Sequence, residues 1–300
     1  MKKYLIILTI IFLGANILAI SCKGKNQDED DIKDILQSSV YTDEDQSRAF
    51  EDNDTTPETS LMLAMPDTMT IPWVRFVRRI NSFTRHISVE IKDTIATATI
   101  GTSATGYFVV INDQQNPVRY FRPINDTGIR TVYLTKSSDR WHIRKISPKD
   151  IWTKNGNPQI TILNIKAIAI PSGDTFEISN PDTLLTKEQL PTFYPNDTVK
   201  VTVTIQVPND SAWVFLHRGR VRPYRKREPF FRTGTYTFER TWIISADADV
   251  SYTAPEARSA AIDAIHWQTL WGDSLAVYNC RAWALPYIVK RQNESYPDSE

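Results

Sequence analysis

One segment of the sequence alternates strictly between apolar and polar residues, and this pattern constrains the fold more than any other feature. Within residues 198–207, Val199, Val201, Val203 and Ile205 alternate with polar residues. Successive side chains of a β-strand point to opposite faces, so a period of two predicts a strand with one buried and one solvated face. Such a strand needs antiparallel neighbours and a second layer that covers its apolar side.

The region after residue 155 contains several further segments of β-type. The Lys-Asn-Gly-Asn-Pro sequence at 154–158 is typical of a linker, and short apolar segments follow it, separated by Pro, Asn, Asp and Gly. The predicted strands are Ile160–Ile170, Thr198–Val207, Ala212–His217, Thr235–Ser245, Ser259–His266 and Leu275–Trp283. We therefore predict an immunoglobulin-like β-sandwich over residues 155–290, followed by a polar tail at 291–300.

The preceding region, residues 70–154, is predicted to combine a helix with a curved antiparallel sheet. Thr70 and Pro72 suit the first turn of a helix, and apolar residues recur at helical spacing from Trp73 to Phe83. A period of two then replaces the helical period. The strands predicted from it are Ile87–Ile91, Ile95–Ile100, Tyr107–Ile111, Ile129–Leu134 and Arg140–Ile146. The predicted fold class is therefore α+β and all-β.

This order of a helix and strands, ending in the Arg-Trp-His-Ile strand at 140–143, resembles the fold of nuclear transport factor two-like proteins. In that family a curved sheet wraps around a helix and leaves a pocket. Some members use the pocket for small ligands or isomerase chemistry, and many use it only for binding. The resemblance implies a pocket within residues 70–150.

The N-terminus has the pattern of a signal peptide. Two lysines precede an apolar run from Tyr4 to Ile20, and the small residue Ser21 leads into Cys22. This segment resembles the lipobox of bacterial lipoproteins, which implies that residues 1–21 are removed and that the Cys22 thiol carries a diacylglyceryl group. An uncleaved anchor and a buried core cysteine are the alternatives.

If Cys22 carries lipid, Cys280 is the only cysteine left, and the chain has no intramolecular disulfide. Cys280 lies among apolar and aromatic residues at 277–283, which predicts a buried thiol. A catalytic cysteine needs a histidine partner, and the four scattered histidines indicate none. The folded part must therefore be stabilised by its core.

Residues 22–69 are predicted to be an acidic flexible tether. Thirteen acidic residues stand against four basic ones between Lys23 and Met69, and the segment has too little apolar surface to offset the entropy of ordering it. Its first ten residues resemble the lysine-then-acidic export signals of surface-exposed lipoproteins in Bacteroidetes-type bacteria, with a simple acidic spacer as the alternative. Apolar residues at Ile32, Ile35 and Leu36 are compatible with one or two helical turns.

The most basic segment lies at 217–232, with seven Arg or Lys and one acidic residue. Its prolines and glycine predict a loop or an irregular hairpin. Guanidinium groups beside aromatic residues suit phosphate, sulfate or carboxylate groups. The candidate anion-binding residues are Arg218, Arg220, Arg222, Arg225, Lys226 and Arg227. A solvated loop, or one that pairs with the protein's own acidic residues, is the alternative.

Two of the eight tryptophans are candidates for stacking on sugar rings. Trp271 stands beside Gly272, and Trp152 stands next to the predicted linker, so both are expected to be more exposed than tryptophans inside predicted strands. Asp263 and His266 are close enough to interact only if their segment is helical, because on a strand they point to opposite faces.

The sequence contains no phosphate-cradling glycine loop, no metal-spaced histidine pair and no nucleophile elbow. We therefore predict a lipid-anchored outer-membrane protein, facing the cell surface or the periplasm, that acts by binding or assembly. Its expected partners are the membrane, through the N-terminal lipid, and an anionic glycan, a lipid headgroup or an envelope protein. No cofactor, metal or nucleic acid is expected, and a hydrolase or isomerase with a pocket in residues 70–154 is the alternative.

Overall fold

The computed structural model describes residues 27–42, 71–113, 115–208, 210–219, 226–244 and 255–297, and this part of the chain is mostly antiparallel β-sheet. The first five strands are β1 (Arg75–Lys92), β2 (Ile95–Ile111), β3 (Tyr120–Ser137), β4 (Arg140–Ile146) and β5 (Lys149–Thr153). The next five are β6 (Thr161–Ile170), β7 (Thr175–Ile178), β8 (Thr192–Phe193), β9 (Thr198–Gln206) and β10 (Ala212–Gly219). They are followed by β11 (Lys226–Pro229), β12 (Phe231–Arg232), β13 (Thr237–Ile243), β14 (Glu256–His266) and β15 (Cys280–Val289). Helices α1 and α2 occupy residues 27–38 and Trp267–Trp271, and Lys187–Gln189 form a 3₁₀ turn.

The strands form two sheets. The larger has ten strands in the order β1-β2-β3-β5-β15-β14-β10-β11, with β4 paired to β3 and β8 paired in parallel to β15. The smaller has the order β12-β13-β9-β6-β7. The predicted boundary near residue 155 falls between β5 and β6, and the larger sheet takes strands from both sides of it, because β5 pairs with β15.

The two sheets pack face to face around an apolar interior. Val199, Val201, Val203 and Ile205 of β9 are at most 3% exposed, which confirms the strand and the buried face that their alternation predicts. Aromatic rings join the layers: the Trp242 ring of the smaller sheet lies 5.0 Å from the Tyr287 ring of the larger one, measured between centroids. The coarse prediction of a β-rich sandwich is thus confirmed.

The helix predicted from Trp73 to Phe83 is wrong, because these residues lead into β1 and form part of it. Burial in β1 first follows a period of two, with Phe76 and Arg78 buried, and a β-bulge between Ile80 and Ser82 then shifts the register. The extra residue returns Phe83 to the face of Ile80, which mimics helical spacing. The helix that the resemblance to nuclear transport factor two-like proteins required here is therefore a strand.

Helix α1 packs against the larger sheet, although it lies inside the segment predicted to be a tether. Ile32 and Leu36 on its apolar stripe are fully buried in one cluster with Ala96 and Val132. At its first turn, Asp28 Oδ1 accepts hydrogen bonds from Lys136 Nζ at 2.6 Å and from the Trp141 indole at 3.0 Å. Residues 27–42 are therefore part of the folded body, whereas 22–26 and 43–69 lie outside the described residues.

The segment predicted to be a polar tail also contacts this region. The Tyr41 hydroxyl donates to the Pro297 carbonyl oxygen at 2.9 Å, and Tyr296 packs against the cluster that surrounds Ile32 and Leu36. The two ends of the described chain thus meet on one side of the larger sheet.

Candidate functional site

A cavity of about 210 Å³ lies where β5 pairs with β15, and we call it the Trp152 cavity. Its lining is mixed in polarity, with an indole, a guanidinium group, side-chain amides and a thiol. The residues that matter for its chemistry are Trp152, Asn155, Gln159, Asn279, Cys280 and Arg281. Cross-strand register explains the arrangement, since Trp152 stands directly opposite Arg281.

Trp152 and Arg281 form a stacked pair at the wall of this cavity. The Arg281 guanidinium carbon lies 5.3 Å from the centre of the Trp152 ring, which is within the range of a cation–π contact. Arg281 Nη2 also donates to Asp150 Oδ2, and both side chains are mostly buried. Burial raises the pKa of Asp150, and the charge of Arg281 opposes that rise. The guanidinium group is thus fixed in place beside the cavity.

The segment between β5 and β6 closes one side of the cavity by a tight turn. Asn155 has a φ of 63°, a left-handed conformation that asparagine tolerates better than most residues. The next residue, Gly156, approaches β15 so closely that an added Cβ would lie 2.5 Å from Asn279 Oδ1. Asn279 itself is oriented by a hydrogen bond from its Nδ2 to the Pro158 carbonyl oxygen at 2.8 Å. The linker therefore holds the amide groups of the cavity in a defined geometry.

Behind Cys280 and Thr153, the cavity is backed by a buried hydrogen-bond network. The Thr153 hydroxyl accepts from the Cys280 backbone N–H and donates to Asp126 Oδ1, both at 2.9 Å. Asp126 Oδ2 accepts from the Tyr278 hydroxyl at 2.8 Å. Burial raises the pKa of Asp126, and it also raises the pKa of Tyr278 well above its ordinary value. Burial therefore favours the neutral form of both groups.

Arg78 of β1 joins this network to Asp263 of β14. Its Nη2 donates to Cys280 Sγ at 3.1 Å, and its Nη1 lies 3.6 Å from Asp263 Oδ2. Its guanidinium carbon lies 5.6 Å from the centre of the Tyr278 ring. Cys280 is 4% exposed, so the prediction of a buried thiol is confirmed.

The structure places only part of the predicted anion-binding segment. In the backbone register of β10 and β11, Arg218 stands opposite Lys226 and His217 stands opposite Arg227. The two strands form a hairpin at one edge of the larger sheet. Arg220, Arg222 and Arg225 lie outside the described residues, as does Cys22. In the larger sheet, β15 and β14 lie between β5 and this hairpin, which therefore forms a surface separate from the Trp152 cavity.

The two tryptophans proposed for stacking differ in their surroundings. Trp152 is half-buried and lines the cavity, whereas Trp271 packs in an aromatic group whose ring centroids lie 4.0 Å away at Trp267 and 6.2 Å away at Trp213. Trp271 therefore belongs to the edge of the core.

Asp263 and His266 do not interact as a pair. His266 Nε2 lies 2.9 Å from Asp210 Oδ2, and its Nδ1 accepts from the Gln268 backbone N–H at the start of α2. Burial lowers the pKa of His266, which favours the neutral ring, while Asp263 faces Arg78 instead. Both residues belong to β14, and each stabilises a different side of it.

No group of three His, Cys, Asp or Glu side chains within the described ranges is arranged to hold a metal ion. Among the same residues, no helix has the length and apolar character needed to cross a membrane. Comparison of the chain with protein-family models, with curated proteins and with solved structures finds no match.

Proposed function

We propose that the protein is a binding module of the bacterial cell envelope and that the Trp152 cavity binds a sugar unit with an anionic substituent. The observation that carries this proposal is the Trp152–Arg281 stack at the wall of a polar cavity. An indole face packs against the C–H groups of a sugar ring, and a guanidinium group binds carboxylate or sulfate with paired hydrogen bonds. Because Arg281 stacks on one face of the Trp152 ring, the sugar ring would pack on the other face.

The remaining lining groups suit the hydroxyl groups of a glycan. Asn155, Gln159 and Asn279 each carry an amide that can donate and accept hydrogen bonds. The ion pair with Asp150 engages Nη2 of Arg281, and its Nε is buried, so a ligand would be bound through Nη1. A volume of about 210 Å³ is small, so a single ring of a longer chain is the expected occupant.

We also propose that residues 155–290 form an immunoglobulin-like sandwich. The strands of an immunoglobulin domain are lettered in chain order, and its sheets have the spatial orders D-E-B-A and G-F-C-C′. The order β12-β13-β9-β6 in one layer and β15-β14-β10-β11 in the other matches these sheets and supports the proposal. In this assignment β15 is the last strand of the domain, and the long strands β1 to β3 extend its sheet through β5.

The envelope location is proposed from the N-terminal sequence. The apolar run that ends at Ser21 and Cys22 supports a lipid on Cys22 and an outer-membrane location. Incorporation of labelled palmitate into the wild-type chain and its loss in Cys22→Ala is the expected result. Labelling of the alanine variant would contradict the assignment of Cys22.

The glycan proposal is tested by calorimetric titration with a galacturonic acid tetrasaccharide and with its neutral galactose counterpart. We expect binding of the acidic oligosaccharide only, with a dissociation constant at least tenfold weaker in Trp152→Ala and in Arg281→Gln. Tyr107→Ala is the matched control, because Tyr107 is an exposed aromatic residue on β2 outside the cavity.

Equal affinity of Trp152→Ala and the wild type would overturn the proposal, as would the absence of binding to uronic, sulfated and sialylated oligosaccharides. Thermal unfolding of each variant shows whether the fold is retained. Release of new reducing ends from the oligosaccharide would favour the alternative, a hydrolase.

A further inference from the structure

We propose that two copies of this chain associate through β1, with the strand of one copy paired antiparallel to the same strand of the other. This inference concerns a surface separate from the Trp152 cavity. It arises from the position of β1 in the sheet and from the order of its exposed side chains.

Strand β1 forms one edge of the larger sheet. It is 18 residues long and pairs with β2 on one side, while on the other side no strand among the described residues is hydrogen-bonded to it. A long edge strand presents a row of backbone donors and acceptors that can pair with another strand. The opposite edge, β11, is only four residues long and includes Pro229, so it offers little backbone for pairing.

The exposed face of β1 is polar, with Arg75 and Arg79 near one end and Glu90 and Lys92 near the other. Arg79 and Glu90 are both exposed, and neither makes a hydrogen bond or an ion pair with any described residue. Between them, the exposed side chains are an amide, hydroxyl groups and an imidazole, at Asn81, Ser82, Thr84, His86 and Ser88. When two such strands pair edge to edge, polar side chains of this face lie beside polar side chains, and the face buries no apolar patch.

The order of these residues selects one register. With a two-fold axis at Arg85, Thr84 faces His86 of the other copy, and Ser82 faces Ser88. The bulge between Ile80 and Ser82 adds one residue, so Arg79 then faces Glu90 of the other copy, and the symmetry repeats this ion pair.

The neighbouring registers lack this complementarity. A shift of the axis by one residue in one direction places Arg79 opposite Ser88, and a shift in the other direction places it opposite Lys92, a like charge. Arg85 on the axis lies on the inner face, where its Nη2 donates to the Leu36 carbonyl oxygen of α1 at 2.8 Å. This hydrogen bond directs the guanidinium group toward its own helix and away from the other copy.

The test is sedimentation equilibrium on the chain from residue 22 onward with Cys22→Ser, which keeps every described residue. We expect a dimer whose dissociation constant is at least tenfold weaker in Arg79→Glu and in Glu90→Arg, because each change opposes like charges twice. The double variant Arg79→Glu with Glu90→Arg restores the ion pairs in reversed order, so its dimer should be as stable as that of the wild type.

Several outcomes would overturn the proposal. A monomer at all concentrations would exclude the association, and so would a different occupant of the edge, such as another segment of the same chain. Dimers unaffected by the single variants would place the contact elsewhere, and failure of the double variant to restore the dimer would exclude this register. As a second measurement, Thr84→Cys combined with His86→Cys should give a disulfide between copies on oxidation, and absence of that cross-link would contradict the pairing.

Discussion

The two faces of the larger sheet are both buried, yet they differ in the number of charged groups that they enclose. The face toward the smaller sheet packs apolar side chains such as Leu216, Ile262 and Tyr287 against β9 and β13. The other face, which β1 to β3 cover, encloses charged groups at most 3% exposed beside apolar residues such as Phe215 and Ala282. The charged groups include Arg78, Arg122, Asp126, Arg130, Lys149 and Asp263.

The two faces of the sheet are therefore stabilised in different ways. An apolar interior is stabilised by its buried area and tolerates changes that preserve volume. A charged interior depends on every partner, because a buried charge that loses its counterpart is costly. The network of Asp126 and Tyr278 lies on the charged side and backs the Trp152 cavity, so the geometry of the site depends on the less tolerant of the two interiors.

The largest effect is expected from removal of one charge of the buried pair. Asp263→Leu leaves the Arg78 guanidinium without its nearest carboxylate, which should lower the free energy of unfolding by about 3–5 kcal/mol. The double variant with Arg78→Leu should be more stable than Asp263→Leu. Urea denaturation measures both.

The control is Glu239→Leu, which breaks an exposed ion pair with Lys200 and should cost less than about 1 kcal/mol. A loss in Asp263→Leu no larger than in this control would show that the charged interior is solvated.

A smaller loss is expected when one hydrogen bond of the network is removed. Tyr278→Phe keeps the ring but removes the donor to Asp126 Oδ2, which should lower the free energy of unfolding by about 1–3 kcal/mol. The change should also weaken binding at the Trp152 cavity, because Asp126 orients Thr153. Unchanged stability in urea would mean that water replaces the lost hydroxyl.

The apolar interior should respond more weakly to a conservative change. Ile205→Val removes one methylene group from a residue that is 1% exposed, and the expected loss is about 0.5–1.5 kcal/mol. Unlike the variants of the charged side, it should leave binding at the cavity unchanged. Thermal unfolding and the oligosaccharide titration together check this. Weaker binding would show that packing in the apolar interior affects the cavity.

The smallest expected effect is on the pH dependence of stability. Burial raises the pKa of Asp126 above its ordinary value of 3.8, so the folded chain takes up this proton at a higher pH than the unfolded chain. The contribution of this group to stability is present below the unfolded pKa and is lost as pH rises through the folded pKa. Asp126→Asn removes this contribution.

As pH falls from about 7 to about 4, stability should therefore shift in favour of the wild type relative to Asp126→Asn. Urea denaturation across that range tests the sign. If the free energies of unfolding of the two proteins changed in parallel with pH, the pKa of Asp126 would be the same in the folded and unfolded chains.

Sequence pattern predicted the sandwich better than the rest of the molecule. The alternation at Val199 to Ile205 reports burial directly, because one face of β9 is apolar and the other is wet. The helix predicted near Trp73 failed for a local reason, since a bulge interrupts the period of two in β1. Helix α1 was underestimated because its few apolar residues gain their stability from the sheet on which they pack, a contact between distant parts of the chain.

Only part of the site could be predicted from the sequence. Trp152 was identified because a tryptophan beside a turn-rich segment is expected to be exposed. Arg281 becomes its neighbour only through the pairing of β5 with β15, which joins residues about 130 positions apart. Asp126 and Arg78 carry no local signal, because an isolated charge on a strand is normally solvated. Their role depends on the curvature of the larger sheet.

The position of β15 also has a consequence for the order of folding. It is the last strand in the described sequence, yet it lies inside the larger sheet between β5 and β14. The long strands before it cannot join the sandwich until nearly all of the chain is available, and contacts of such large sequence separation form slowly. A chain of this topology therefore remains incompletely folded while it is being synthesised. On the export that we propose for this chain, that delay is an advantage, because the chain crosses the membrane before it folds.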